Sequence, residues 1–265
     1  MINELIYVYC ISVDPQELIN ELRSRGLKSI CIDGFNVIIK NVQEKEFSEE
    51  NLKQNIADLH WLEANAREHI NVIGMIMGYT SVIPFKFGTI FNSRESLEKF
   101  IIAYSASLLR NFDFIRGKEE WSVKIYCNRK TLSKHIDELS EPAAALEKQI
   151  MASSPGKAFL LQRKKADLIQ DEMDRICKEC GQSYFNELSI QSEANSLNNL
   201  LPKEVTGRED TMILNAAFLV TKDKVTEFKG SVTKSASREV DSSFNVELTG
   251  PWPPFSFISI NEKTQ

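Results

Sequence analysis

The fold is decided by a ten-residue stretch near the N-terminus, Ile30-Cys31-Ile32-Asp33-Gly34-Phe35-Asn36-Val37-Ile38-Ile39. Two apolar runs lie on either side of the dipeptide Asp33-Gly34. This dipeptide favours the positive φ angles of a two-residue hairpin turn. The sequence therefore predicts two adjacent antiparallel strands at this point.

The segments on either side of this hairpin supply the other elements of one domain. Before it lie an apolar strand, Leu5–Ile11, and a short helix that follows Asp14-Pro15. After it, apolar residues recur at helical spacing from Ser48 to Ile70. The run Val82–Phe87 supplies a closing strand, in which Pro84 indicates an edge position. The order β-α-β-β-α-β predicts a ferredoxin-like domain.

The second half of the chain predicts the same order of elements. A helix with an apolar face begins at Ser93, and Trp121–Cys127 then alternates between apolar and polar residues as a strand does. A long helix is predicted from Ser154-Pro155 to Gly181, with proline at its first position. The remaining elements are strands at Phe185–Ile190 and Met212–Val220, a helix on Val225, Phe228 and Val232, and a final strand on Phe244, Val246 and Leu248.

Together these elements predict an α+β chain of two ferredoxin-like (βαββαβ) domains in tandem, followed by a tail rich in proline and aromatic residues. The length of 265 residues suits two domains. The expected boundaries are 1–92 for the N-terminal domain, 93–117 for a connecting helix, 118–249 for the C-terminal domain and 250–265 for the C-terminal tail.

Composition and charge narrow the class of protein. The chain is 42% hydrophobic with a net charge of −5, which gives no electrostatic case for nucleic acid or an anionic membrane. No segment reaches the roughly 18 apolar residues of a membrane helix, and the N-terminus lacks the basic flank of a signal peptide. The five cysteines are an odd number and indicate reduced thiols. We therefore expect a cytoplasmic protein.

Candidate residues for catalysis or metal binding are few. The Cys177–Cys180 pair has ligand spacing, but the sequence has no second cysteine pair or His-x-x-x-His with which to complete a zinc site. We interpret the pair as core packing. The histidines, His60, His69 and His135, fit no recognisable catalytic spacing and are expected at the surface or half-buried. The sequence predicts no catalytic, cofactor-binding or metal-binding residue.

Two further motifs have simple structural interpretations. Ser153–Lys157 resembles a phosphate-binding loop but lacks its upstream glycine, and no Ser or Thr follows Lys157. Helix capping explains it. The basic run Arg163-Lys164-Lys165 is interpreted as a solvated helix face, with docking of an acidic partner as the alternative.

The tail contains the run Gly250-Pro251-Trp252-Pro253-Pro254-Phe255-Ser256-Phe257. Its prolines disfavour helix and strand. Docking the large apolar side chains gains about 1.5–3 kcal/mol each, and ordering the backbone costs about 1–2 kcal/mol per residue. A clasp on the chain's own domain and a ligand for another protein thus both stay open, and we favour the clasp. The residues assigned to tail docking or protein interaction are Trp252, Pro253, Pro254, Phe255 and Phe257.

This tail resembles the Gly-Pro-Trp-Pro-Pro-Tyr-Ser-Phe ending of the family of gas vesicle proteins F and L, with Phe255 at the tyrosine position. Three further blocks are similar to blocks of that family and occur in the same order: Val82–Phe91, Glu119–Lys124 and Ser154–Leu160. Lys86 stands where the family commonly has arginine, which loses bidentate hydrogen bonding. The resemblance covers nearly the whole chain.

The resemblance implies a cytoplasmic accessory or minor structural protein of gas vesicle assembly. It further implies binding to the hydrophobic shell protein and to other accessory proteins, with no enzymatic activity and no cofactor. Whether the chain is F-like or L-like stays open. The alternative function is a ligand-binding regulatory module built on paired ferredoxin-like domains. An RNA-binding protein is disfavoured, because the chain is acidic and lacks the aromatic strand signature.

Overall fold

The computed structural model describes residues 4–13, 19–236 and 243–260. It has a mixed α/β fold with two antiparallel sheets. The chain divides into a first unit, Met1–Glu120 together with Pro251–Gln265, and a second unit, Trp121–Gly250. The helix that begins after Ser93 and the tail residues from Pro251 onward therefore both belong to the first unit.

The first unit contains five strands and five helices among its described residues. In chain order they are β1 (Glu4–Ser12), α1 (Ile19–Ser24), β2 (Lys28–Ile32), β3 (Phe35–Gln43), α2 (Glu44–Phe47), α3 (Glu49–Asn55), α4 (Leu59–Met77), β4 (Val82–Pro84), β5 (Ile90–Phe91) and α5 (Arg94–Ile115). The strand order is β2-β3-β1-β4, and β5 also pairs with β1. All of these pairings are antiparallel.

The hairpin predicted from Asp33-Gly34 is confirmed. Ile32 pairs with Phe35 across the turn. Asp33 has a φ of 50° and Gly34 a φ of 81°, the left-handed values that a two-residue hairpin turn of this type requires. This turn sets the register of β2 on β3.

The helix predicted to run from Ser48 to Ile70 is divided into α3 and α4. Ser48 caps α3 by accepting a hydrogen bond from the Asn51 amide. The Asp58 carboxylate then accepts hydrogen bonds from the amides of His60 and Trp61, which starts a new helix. The apolar spacing was therefore correct, but the second cap interrupts the helix.

Strand β1 contributes side chains to hydrophobic clusters on both faces of the first sheet. Tyr7 and Tyr9 lie in one cluster with side chains of α4, among them Ile73. Val8 and Ile11 lie in the other, with α5 residues that include Leu97, Ile101, Leu108 and Phe112. Because both faces are covered, β1 is apolar from Leu5 to Ile11, as the sequence predicted for a central strand.

The second sheet has the order β7-β8-β6-β9. The elements from β6 to the end are β6 (Lys118–Cys127), α6 (Arg129–Lys134), α7 (Ile136–Leu139), α8 (Glu141–Met151), α9 (Pro155–Ser189), β7 (Ala194–Leu197), α10 (Lys203–Thr206), β8 (Thr211–Thr221), α11 (Val225–Ala236) and β9 (Phe244–Trp252). One hydrophobic cluster, which includes Trp121, Met173, Phe218 and Phe228, forms the core of the second unit. No helix in the described ranges is both long and apolar enough to cross a membrane.

The strand predicted at Phe185–Ile190 is wrong, because α9 continues through this segment to Ser189 and the strand follows at Ala194–Leu197. Gly181 was expected to end the helix but lies inside it. A Cβ at Gly181 would lie 2.8 Å from the backbone oxygen of Ile213 on β8. The glycine therefore permits close packing of helix on strand.

Strand β9 extends three residues into the predicted tail, from Gly250 to Trp252, and contains Pro251. This corrects the expectation that the proline-rich run cannot prolong a strand. Because β9 is the last strand in the order of its sheet, it is an edge strand. At an edge, the absence of an N–H group at proline is tolerated.

Candidate functional site

The candidate site is the surface of the first unit on which the tail segment, residues 251–260, lies. The backbone turns after β9, where the Phe255 amide donates to the Pro253 carbonyl and the Phe257 amide donates to the Pro254 carbonyl. Pro253 and Pro254 are buried. Trp252 and Phe255 are 39% and 37% exposed to solvent.

A buried carboxylate holds the middle of the tail segment. Glu120 accepts a hydrogen bond from the Ser256 amide at 3.0 Å and another from the Ser256 hydroxyl at 2.7 Å. Burial raises the pKa of Glu120, and the two hydrogen bonds from Ser256 oppose that rise only in part. Hydrogen bonds to an ionised acceptor are roughly twice as strong as neutral ones, so this contact fixes the position of Ser256.

Helix α5 holds the end of the tail segment. The Ser259 carbonyl accepts hydrogen bonds from the Asn111 side-chain amide at 2.9 Å and from the Ser107 hydroxyl at 3.2 Å. On either side of Ser259, Ile258 and Ile260 pack against the hydrophobic cluster between the sheet and α5. Alternate residues of the tail segment thus supply apolar and polar contacts to one helix.

The tail segment also meets a buried histidine. His69 is 1% exposed, and its ring is stacked with that of Phe255 at a centroid distance of 6.5 Å. Its Nε2 atom lies 3.0 Å from the Phe85 carbonyl and its Nδ1 atom 2.9 Å from the Tyr7 hydroxyl. Because a carbonyl oxygen only accepts, Nε2 carries a proton. Nδ1 of the neutral ring then accepts from Tyr7.

The expectation of a surface or half-buried histidine is therefore wrong for His69. Burial lowers its pKa, and the hydrogen bond to Phe85 works in the opposite direction. The neutral ring is thereby favoured, which suits packing among aromatic side chains. His60, nine residues earlier in the same helix, is exposed.

Around His69 lies an aromatic cluster that the sequence reasoning missed. Centroid distances are 5.5 Å for Tyr9 to His69 and 5.8 Å for His69 to Phe87. The Gly88 amide also donates to the Tyr7 hydroxyl. The members of the cluster are Tyr7, Tyr9, Phe47, Trp61, His69, Phe87 and Phe255. The alternation of Tyr7 and Tyr9 on one face of β1 was the available signal.

A family model described as gas vesicle synthesis protein GvpL/GvpF matches residues 5–259. The chain belongs to this family. The match includes the sheet of the first unit, the aromatic cluster and most of the tail segment. Family membership supports involvement in gas vesicle formation.

Relatives of both the L and the F type are similar to this chain. Gas vesicle protein L of a Streptomyces species is 27% identical over 222 residues, which is 82% of this chain and 77% of the relative. Gas vesicle protein F of Microcystis aeruginosa is 21% identical over 272 residues, covering 96% of this chain and 98% of the relative.

Two crystal structures of family members share the fold. GvpF from an Anabaena species has a TM-score of 0.71 at 21% identity and covers 98% of this chain and 100% of its own. GvpF from Microcystis aeruginosa has a TM-score of 0.63 at 19% identity and covers 96% and 99%. The mixed α/β architecture is therefore that of known GvpF structures.

The residues predicted for the tail are only partly brought together. Phe255 lies at the aromatic cluster, whereas Pro253 and Pro254 are buried beneath the turn and Phe257 is half-buried. Ser256, Ser259 and Glu120, which make the polar contacts, were not predicted. Ser256 lies in the family-like ending of the tail and Glu120 in the block Glu119–Lys124, but neither motif indicates that the two residues bond to each other.

The cysteine pair lies on the inner face of α9. Cys177 is buried in the core of the second unit and Cys180 is half-buried against it, which confirms the interpretation as core packing. A hydrogen bond involving the Cys127 thiol and the nearby Arg129 lower the pKa of Cys177, while burial raises it. In the part of the chain that the structure describes, no three His, Cys, Asp or Glu side chains are grouped to hold a metal ion.

Proposed function

We propose that this chain is a non-enzymatic accessory or minor structural protein of gas vesicle assembly. In this role it binds the hydrophobic shell protein and other accessory proteins in the cytoplasm, or on the vesicle. The observation that carries the proposal is the family match over residues 5–259, together with relatives named gas vesicle proteins L and F.

The tail segment is the part of the chain that we assign to partner binding. Its backbone is held by Glu120 and Asn111 on its own unit, while Trp252 and Phe255 remain more than a third exposed. Ordered aromatic side chains bind at a low entropic cost, because their positions are set before the partner arrives. We propose that the tail segment is a clasp and that its two exposed rings contact the shell protein.

We also propose that each unit is a ferredoxin-like domain. The first sheet has the order β2-β3-β1-β4 with antiparallel pairing, and the second has the equivalent order β7-β8-β6-β9. Numbered from its own first strand, each sheet reads 2-3-1-4. The shared strand order supports two domains of the same topology in tandem, although the sequences of the two halves show no repeat.

Co-purification tests the proposed function. The shell protein, fused to a soluble carrier, is mixed with the intact tagged chain, and the carrier alone serves as the control. We expect the fusion to be retained and the carrier to be lost on washing. Retention of neither, while the fusion remains soluble, would contradict the proposal.

A cavity favours the second candidate function, a ligand-binding regulatory module. It has a volume of about 500 Å³ and is bordered by Tyr7, Tyr9, Lys40 and Glu68. Two of these bordering residues, Lys40 and Glu68, form an ion pair at 2.7 Å. A thermal-shift screen with nucleotides and amino acids tests it, because a ligand of the native state raises its melting temperature. A clear shift that is abolished by Tyr9→Ala would favour this function.

A further inference from the structure

The connected ends of helices α8 and α9 expose three large apolar side chains. The two helices pack against each other and are joined by residues 152–154. Met151 at the end of α8 is 77% exposed, and Phe159 and Leu160 in the first turns of α9 are 71% and 68% exposed. We call residues 148–164 the hairpin end. These three exposed side chains do not belong to the hydrophobic cluster of their own unit, so a packing role within that unit does not explain them.

The hairpin end is basic in an acidic chain. From Lys148 to Ala166 the sequence contains no Asp or Glu and five basic residues, whereas the whole chain carries a net charge of −5. Lys165 is engaged, since its Nζ lies 2.8 Å from carboxylate oxygens of both Asp137 and Glu147. The other four are exposed and form no ion pair with any described residue: Lys148, Lys157, Arg163 and Lys164.

Helical spacing places the charges beside the apolar side chains. Arg163 follows Phe159 by four residues, and Lys164 follows Leu160 by four, so each pair shares one face of α9. The half-buried Ala158 and Leu161 mark the opposite face, which packs inward. The hairpin end therefore presents an apolar tip with a basic border along a single helix face.

We propose that the hairpin end binds an amphipathic helix of a partner protein whose apolar face is bordered by carboxylates. The apolar tip matches the apolar face of that helix, and the unpaired basic residues match its carboxylates. Ridges of side chains four residues apart also suit the packing of one helix on another. The proposal goes beyond the proposed function, because it assigns a surface on the second unit and does not depend on the tail segment.

The net charge of the chain favours a short helix over an extended anionic surface. A membrane or a nucleic acid continues past the hairpin end and would repel the acidic remainder of the chain. A helix of a few turns meets only the basic hairpin end. The acidic charge of the chain therefore favours a short acidic helix over a membrane or a nucleic acid as the partner of the hairpin end.

The test uses a pair of labelled peptides and the full chain. One is an amphipathic helix of about 20 residues with leucine on one face and glutamate along its border, and its control has lysine at each glutamate position. We expect the acidic peptide to bind at least about tenfold more tightly at low salt, and the difference to shrink as salt screens the charges. Fluorescence anisotropy measures both affinities.

Two double variants test the surface, each with a matched control. Phe159→Ser with Leu160→Ser removes the apolar tip, and Arg163→Glu with Lys164→Glu reverses the border. Each is expected to weaken binding of the acidic peptide about tenfold or more. The controls alter other exposed residues, on α5, namely Ile102→Ser with Leu109→Ser, and Lys99→Glu with Arg110→Glu. They are expected to bind as the unaltered chain does.

Several results would overturn the proposal. Equal binding of the two peptides, no binding of either, or loss of binding in the α5 controls would each do so. A different result would assign the surface to a membrane instead. In that case phosphatidylglycerol vesicles capture the chain, the Arg163→Glu, Lys164→Glu variant is not captured, and the acidic peptide does not bind. The hairpin variants are expected to retain the shell-protein fusion. The proposed function and the proposal for the hairpin end are therefore tested separately, and either one can fail while the other holds.

Discussion

At the scale of single residues, Glu120 has the most informative contact in the first unit. Its buried carboxylate receives two hydrogen bonds from Ser256, which is 136 residues away in the chain. Charged side chains are rarely buried without such partners. Sequence reasoning does not find this pair, because nothing near either residue records a contact over that separation. The same holds for His69, whose partner Tyr7 lies 62 residues away.

The pH dependence of stability tests this carboxylate. Because burial raises the pKa of Glu120, the folded state binds this proton more tightly than the unfolded chain does. Its contribution to the free energy of unfolding is present below the unfolded pKa, about 4.3, and is lost as the pH rises through the raised value. Denaturant titrations from below about pH 4.3 to above the raised pKa should show this fall in the free energy of unfolding in the unaltered chain. Glu120→Gln should lack it, because glutamine does not titrate.

Glu120→Ala provides the matched comparison at neutral pH. It removes both hydrogen bonds between Ser256 and the carboxylate, which should cost about 1.5–3 kcal/mol of unfolding free energy, the range for hydrogen bonds to a charged group. Glu120→Gln keeps an acceptor and should cost less than Glu120→Ala. Equal stability of both variants would mean that Glu120 does not hold the tail segment.

Gly181 provides a second test at the residue scale. A Cβ at this position would lie 2.8 Å from the Ile213 carbonyl oxygen, so Gly181→Ala must push the helix away from β8. We expect a loss of about 1–3 kcal/mol of unfolding free energy, as for other overpacked cores. Thermal or chemical denaturation measures it.

Gly156 is the control in the same helix. Nothing lies within 4 Å of a Cβ placed there, so Gly156→Ala should be neutral or stabilise by up to about 1 kcal/mol, because alanine favours helix. Equal effects of the two substitutions would contradict the close packing inferred at Gly181.

At the scale of elements, local signals predicted much of the fold. The turn at Asp33-Gly34, the cap at Ser93 and the start at Ser154-Pro155 all mark elements that the structure contains. The failure at Phe185–Ile190 has a physical cause, because a short apolar run fits a strand or one face of a helix equally well. The tertiary packing of Gly181 on β8 decided in favour of the helix.

The tail segment should stabilise the first unit. Ending the chain after Trp252 keeps β9 but removes Ser256, Ile258 and Ser259, with their contacts to Glu120 and α5. We expect a lower melting temperature, since exposed apolar surface and an unpaired buried carboxylate both destabilise the fold. Calorimetry measures it.

A chain that ends after Ile260 is the control for this truncation. It retains the contacts of the tail segment and should melt as the full chain does. An unchanged melting temperature after the longer truncation would show that the tail segment is not a clasp.

At the scale of the whole molecule, family and fold are consistent with each other. The four sequence blocks predicted membership of the gas vesicle F and L family, and the match over residues 5–259 confirms it. The TM-score of 0.71 to a GvpF crystal structure supports the same architecture at 21% identity. The blocks could not predict which side chains a partner meets, because that depends on how the tail segment folds against its unit.

We propose that the two exposed rings of the tail segment, Trp252 and Phe255, bind the shell protein. The most direct test is the affinity of the full chain for the shell-protein fusion, compared with the variant Trp252→Ala, Phe255→Ala. Tyr79→Ala with Phe114→Ala is the control, because both of its rings are also exposed. We predict a loss of about tenfold or more in the tail variant alone. An unchanged affinity in a folded tail variant would contradict the claim.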